Sequence, residues 1–165
     1  MQNIDNQKEY KVLFVCLGNI CRSPAAEGIF KKLVKEEGLE DKISIDSAGT
    51  SGYHIGDLPD HRMRQYGVRR GYKFDSLSRK FSIDDFYYFD IIIVMDDNNY
   101  RDVMRLAPDI ESEKRVHRMV EFSKKYGHDH IPDPYYSGSD GFELVLDLLE
   151  DSCERLLEKI RSGEH

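Results

Sequence analysis

Hydrophobic patterning begins with Lys11-Val12-Leu13-Phe14-Val15-Cys16, a short β-rich run without alternation, as a strand covered on both faces of a parallel sheet requires. It stops at Gly18. From Ser23-Pro24 onward, Ala25, Ala26, Ile29, Phe30, Leu33 and Val34 recur at helical spacing. Pro24 suits the first helical turn, and Glu27 is placed for a capping interaction with Ser23 or a neighbour. The pattern predicts a strand that passes through a short loop into a helix. A second strand is predicted over Ile43–Ala48, ahead of the turn Gly49-Thr50-Ser51-Gly52, and a short helix from Pro59 to Gly67. Asp90–Met95 reads as a strand. Asp96 or Asp97 then stands ready to cap a helix through Tyr100, Val103, Met104 and Leu106 that ends before Pro108.

A further strand is expected at Arg115–Met119. The segment from Val120 to Asp140 is polar and turn-rich, and a loop of that length inside a compact domain is usually functional. Phe142, Val145, Leu146, Leu149, Cys153, Leu156, Leu157 and Ile160 form an apolar stripe at 3.6-residue spacing, the mark of a long C-terminal helix packed on a core. Strands alternating with helices imply right-handed βαβ units and an α/β fold whose parallel sheet is covered on both faces. In such folds ligands bind at the carboxyl ends of the strands, where the loops after Cys16 and Met95 lie.

Length and composition fit one domain, residues 1–165 with a core over about 10–161, without disulfide or metal staples. With 39% hydrophobic residues, ten Tyr and eight Phe, the chain is too rich in core-formers to be disordered. The 24 Lys and Arg against 31 Asp and Glu give a net charge of -7, which argues against a nucleic-acid binder. Any bound anion must therefore be held by a local device. The opening MQNIDNQKEYK lacks the apolar core of a signal peptide, and no stretch approaches a membrane span, so a cytoplasmic location without membrane insertion is expected. Three cysteines make an odd number for a disulfide framework; reactive or buried thiols are the expectation.

The decisive stretch is Cys16-Leu17-Gly18-Asn19-Ile20-Cys21-Arg22-Ser23, lying between a strand and a helix. Amides of a tight loop at a helix N-terminus make a concave anion site, and Gly18 and Asn19 tolerate the left-handed dihedrals such a loop needs. The same amides should stabilise a thiolate, making Cys16 an ionised nucleophile beneath a bound phosphate. Arg22 offers a planar fork for two phosphate oxygens, which Lys could not match. Ser23 can donate its hydroxyl to the sulfur, easing its later departure. A Cys16–Cys21 metal pair is disfavoured because no second pair of ligands stands nearby, and the nucleotide loop ending Gly-Lys-Ser/Thr is absent.

Val12 to Ala26, VLFVCLGNICRSPAA, resembles the signature of low-molecular-weight protein tyrosine phosphatases, and Asp133-Pro134-Tyr135-Tyr136 is similar to that family's general-acid loop. Asp46-Ser47 followed by Tyr53, the stretch Arg79 to Phe86, and Met95-Asp96 extend the resemblance over nearly the whole chain from Tyr10. It implies a single-domain, four-stranded parallel sheet with helices on both faces, no metal and no organic cofactor. Cys16 would attack phosphorus, Arg22 bind the phosphoryl group, and Asp133 protonate the leaving tyrosyl oxygen and then activate water. Leu17, Gly18, Asn19, Ile20, Cys21 and Ser23 would complete the substrate loop, with Tyr53, Tyr135 and Tyr136 walling the cleft. The implied partners are tyrosine-phosphorylated proteins and, in the loop, phosphate or other oxyanions.

In the family, Asn19 and Ser47 would share a supporting network with a histidine, but here that histidine's place falls on Ser76. Asp96 is open to two roles, positioning Arg22 or capping a helix, and the six His show no nucleophile-linked arrangement. Related arginine phosphatases carry Thr where Ile20 stands. Arsenate reductases need relay cysteines in a mobile mid-chain segment, whereas Cys153 lies on the last helix. A non-catalytic phosphotyrosine-binding module would need Arg22 but not both Cys16 and Asp133. An exposed, ionised Cys16 would be open to peroxide, and Cys21 is expected to lie close enough to trap the sulfenic acid as a disulfide.

Overall fold

The computed structural model describes residues 9–135 and 137–163; Tyr136, expected in the cleft wall, and residues 1–8, read above for a leader, lie outside them. Four parallel strands, β1 (Tyr10–Cys16), β2 (Ile43–Gly49), β3 (Ile91–Val94) and β4 (Val116–Arg118), form one sheet in the order β2-β1-β3-β4. Central strands β1 and β3 pair in register, Phe14 against Ile93. Their unbroken apolar runs have a direct cause in two separate cores. Val12, Phe14, Ile91 and Ile93 face one core with Phe30, Phe142 and Leu149. Leu13, Val15, Ile92 and Val94 face the other with Phe81, Phe86, Phe89 and Val103. With a core on each face, no position from Val12 to Val15 or from Ile91 to Val94 is left for a polar side chain.

Among the described residues six α-helices surround the sheet: α1 (Arg22–Glu36), α2 (His61–Arg69), α3 (Asp84–Tyr88), α4 (Asp97–Met104), α5 (Ile110–Glu113) and α6 (Ser139–Ser162). Helix α6 buries the predicted stripe and closes at Gly163, whose φ of 78° is the left-handed terminator glycine favours. Asp60 caps α2, accepting from the amides of Arg62 and Met63, so the helix starts after Pro59 rather than at it. Helices α3 and α5 have five and four residues, too short for a hydrophobic stripe to announce them. The expected loop from Val120 is trimmed at both ends, by a 3-10 turn over Met119–Phe122 and by the start of α6 at Ser139.

One expectation is corrected. Glu27 does not cap α1, whose N-cap Cys21 has no side-chain capping bond. Its carboxylate is buried and turned toward β2, where Ser47 donates to it at 2.5 Å. From β1 the chain crosses to β2 on one side, whereas β3 lies on the other. The carboxyl ends of β1 and β3 thus flank the crevice where the topology reverses.

Candidate active site

The loop after Cys16 is built with its carbonyls turned out. Thr50 and Ser51 donate their amides to the carbonyls of Cys16 and Leu17 at 3.0 and 2.8 Å, and the Asp60 amide donates to Ile20 at 2.6 Å. The Ser78 hydroxyl takes the carbonyl of Gly18 at 3.1 Å. Among the described residues, the amides of Leu17 through Cys21 have no protein acceptor. A loop with these four oxygens tied behind it presents its N–H groups to one concavity, the arrangement that binds tetrahedral anions. Gly49 makes this possible at the end of β2, since a Cβ there would stand 2.8 Å from the Leu17 carbonyl oxygen.

Asn19 adopts the left-handed φ of 57° that the loop was expected to need. Gly18 does not. Its missing Cβ instead makes room for the His54 ring, whose Cδ2 would lie 3.1 Å from such an atom. The buried Asn19 side chain donates to the hydroxyls of Ser23 and Ser47 at 2.8 and 2.9 Å and accepts from the Arg79 amide at 3.0 Å. Glu27 fixes the polarity of this network. An ionised carboxylate only accepts, so Ser47 gives it its one hydrogen and must accept from Asn19. Ser23 also accepts from Asn19, leaving its hydrogen for the Cys16 sulfur 3.0 Å away, a better-placed partner than the Ala48 carbonyl at 3.4 Å. Ser76 takes no part; the network closes on a carboxylate directly.

Arg22, with 2% of its surface exposed, is aimed by two acceptors on Nη1: Asp96 at 2.7 Å and the Ile131 carbonyl at 2.9 Å. Burial alone would lower its pKa, but Cys16, Asp96 and Asp133 outweigh that and hold the guanidinium above its ordinary value. Both roles open to Asp96 are filled, by different oxygens: Oδ2 grips Arg22 and Oδ1 caps α4 through the Asn99 amide.

Asp133 lies 3.7 Å from Arg22 Nη2 and accepts from the Tyr135 amide at 3.1 Å, with its side chain 41% exposed. A cleft of about 240 Å³ brings Cys16, Arg22 and Asp133 together with Leu17, Gly18, Ile20, Cys21, Tyr53 and Tyr135. Ser51 and His54 also line it, and nothing in the sequence singled them out. Asn19 and Ser23 do not; they lie buried behind the loop. Cys16 is buried at the base rather than exposed, so reagents reach it only through the cleft. All three cysteines are free thiols. Burial, reinforced by Asp60, Cys16 and Asp133, pushes the Cys21 thiol well above the ordinary range.

Among the described residues, no group of three or more His, Cys, Asp or Glu is placed to hold a metal ion, and no helix is long and apolar enough to cross a membrane.

A family model described as low molecular weight phosphotyrosine protein phosphatase matches residues 11–164. A low molecular weight protein-tyrosine-phosphatase of Bacillus subtilis is 42% identical over 151 residues, covering 91% of this chain and 95% of its own. The crystal structure of a protein tyrosine phosphatase from Entamoeba histolytica, with Hepes in the active site, superposes with a TM-score of 0.92 at 46% identity, covering 94% of this chain and 99% of that one. A Drosophila arginine phosphatase superposes at 0.86 with 35% identity, covering 93% and 99%.

Proposed function

The chain belongs to the low molecular weight phosphotyrosine protein phosphatase family, and we propose that it hydrolyses protein phosphotyrosine through a cysteinyl phosphate, with Cys16 as nucleophile, Arg22 as phosphate clamp and Asp133 as general acid and base. The observation that carries this reading is the meeting of those three side chains in one cleft, over a loop with the carbonyls of Cys16, Leu17, Gly18 and Ile20 tied away from it.

The phosphate sits in the ring of amides with its phosphorus above the Cys16 sulfur. Arg22 has five N–H donors, and both hydrogens of Nη1 are committed to Asp96 and Ile131. The Nε–H and one Nη2–H remain on a single edge, a two-point fork for two phosphoryl oxygens. As the sulfur–phosphorus bond forms, the bond to the phenolic oxygen breaks and Asp133 supplies that oxygen with a proton. Water then enters where the phenol left, Asp133 takes one of its protons, and the sulfur departs as a thiolate held by the Ser23 hydroxyl. Tyr53 and Tyr135, together with Ile20, give the cleft an apolar wall suited to an aromatic ester. Hepes, found in the Entamoeba active site, carries a sulfonate of the same tetrahedral form, which supports oxyanion binding by the equivalent loop here. A reducing compartment such as the cytoplasm would keep Cys16 reduced. The arsenate-reductase reading is disfavoured because Cys153 is fully buried in α6.

The Drosophila neighbour makes phosphoarginine the competitor to exclude. The test compares kcat/KM on matched phosphotyrosine, phosphoserine and phosphoarginine peptides, with strong preference for phosphotyrosine expected. Faster hydrolysis of phosphoarginine would replace the substrate assignment. A Cys16→Ser variant that retained turnover would end the mechanism.

A further inference from the structure

Asp133 stands on a long surface loop, yet an acid must meet the leaving oxygen within hydrogen-bond reach to be useful. Before Asp133 the loop is held at Ile131, whose amide donates to the Met95 carbonyl at 2.8 Å and whose carbonyl accepts from Arg22. After it, the Tyr135 carbonyl accepts from Arg62 Nη2 at 2.8 Å. Tyr135 is also the residue whose amide holds Asp133 Oδ1. Whatever fixes residue 135 therefore fixes the carboxylate.

Arg62 is itself held on three sides. Its Nε and Nη2 both reach Asp60 at 3.2 Å, and its guanidinium lies 4.8 Å over the Phe142 ring and 5.5 Å over the Tyr135 ring. Asp60 caps α2 and, through its own amide, holds the Ile20 carbonyl of the phosphate loop. One continuous chain of contacts thus runs from Ile20 through Asp60, Arg62 and Tyr135 to Asp133. Only a planar, multi-donor group can grip a carboxylate, reach a carbonyl and lie flat on two rings at once; an ammonium cannot.

We propose that Arg62 is a positioning residue for the general acid, setting the distance between Asp133 and the phosphate loop. The proposal rests on the assignment of Asp133 above, and the experiment separates the two. The ratio kcat/KM, which reports formation of the phosphocysteine and not its later hydrolysis, is measured on a phosphotyrosine peptide, whose phenol must be protonated to leave, and on p-nitrophenyl phosphate, whose acidic phenol leaves unaided. Arg62→Ala is expected to lose roughly ten- to a hundredfold on the peptide, the scale of a misplaced catalytic group, and less than about threefold on the nitrophenyl ester. In the Arg62→Ala/Asp133→Asn double variant, the peptide rate is expected to match Asp133→Asn alone within about twofold, because the strut has nothing left to position. Arg62→Lys, which keeps charge and stem and guards against a folding artefact, is expected to fall between parent and Arg62→Ala on the peptide only. Equal loss on both esters in Arg62→Ala, or additive loss in the double variant, would overturn the role of Arg62 while Asp133→Asn still discriminates between them. If Asp133→Asn itself does not discriminate, the acid assignment fails and the inference with it.

Discussion

The two loops that meet in the cleft are built to opposite specifications. In the loop from Cys16 to Arg22 the side chains of Cys16, Asn19, Cys21 and Arg22 are buried, each of four carbonyls has its own donor, and its one strained residue, Asn19, is held by three hydrogen bonds. The loop around Asp133 is largely exposed, with that side chain 41% accessible, and is held at Ile131 and Tyr135 on either side of the acid. On the proposed mechanism the first loop presents several donors to a charge that develops in a fixed place, so any slack would cost transition-state stabilisation directly. The second would admit a protein-borne phenol, release it and then admit water, which a loop locked along its length would obstruct. Rigidity is concentrated where charge is stabilised, and freedom is kept where groups enter and leave.

The largest effect that would break this comparison is at the nucleophile. Cys16→Ser is expected to lower turnover by about 10⁴-fold or more with the melting temperature little changed, read by phosphate release and calorimetry. Next, Asp133→Asn should cost about 10²- to 10⁴-fold in kcat/KM on phosphotyrosine, with a much smaller loss in kcat/KM on p-nitrophenyl phosphate, where formation of the phosphocysteine needs no acid. Arg22→Lys keeps charge but loses the two-point edge and should cost about 10²- to 10³-fold in kcat on both substrates alike; a leaving-group dependence there would blur the division between the loops.

A smaller effect sharpens the contrast within the rigid loop. Glu27→Gln leaves shape nearly intact but allows the network polarity to reverse, and about tenfold is expected to be lost from kcat, the scale of one charge-assisted hydrogen bond. The same loop carries a redox expectation. After a brief peroxide pulse, dithiothreitol should restore the parent more fully than Cys21→Ser, with a Cys16–Cys21 peptide link found by mass; equal recovery without a link would remove Cys21 from that account.

The gentlest effect concerns pH. Burial raises the pKa values of Cys21 and Cys153 above the ordinary thiol value of 9.0. A raised folded-state pKa gives stability that is complete below the unfolded value and lost as pH climbs toward the folded one. The urea midpoint should therefore be insensitive to these thiols below pH 9.0 and decline above it, and Cys21→Ala/Cys153→Ala should flatten the decline.

The strands and long helices were legible because burial on both faces of β1 and β3, or along one stripe of α6, dictates residue type at the buried positions. Helices α3 and α5 were not, since four or five residues leave only local capping, such as Asp109 accepting from the Ser112 amide. Cys16, Arg22 and Asp133 stood out through their spacing and their resemblance to a family. Glu27 was assigned a cap it does not make because an acid near the start of a helix looks the same whether it faces solvent or, as here, Ser47. Its place beside Ala26 and Phe30 on the buried face was the available signal. The Ile131 carbonyl and the Asp60 amide left none, because backbone contacts carry no residue signature. Arg62 looked like any surface arginine in a short helix.

The division of labour between the loops is tested most directly by mixing the Asp133→Asn protein rapidly with p-nitrophenyl phosphate. Cys16 should be phosphorylated at near-parental speed, because this phenol needs no acid, whereas water should attack slowly without its base. A burst of nitrophenol approaching one per active site, followed by slow turnover, is the result the account predicts, with acid-quenched peptides carrying phosphate on Cys16. Turnover without a burst, or phosphate recovered on any other residue, would contradict it.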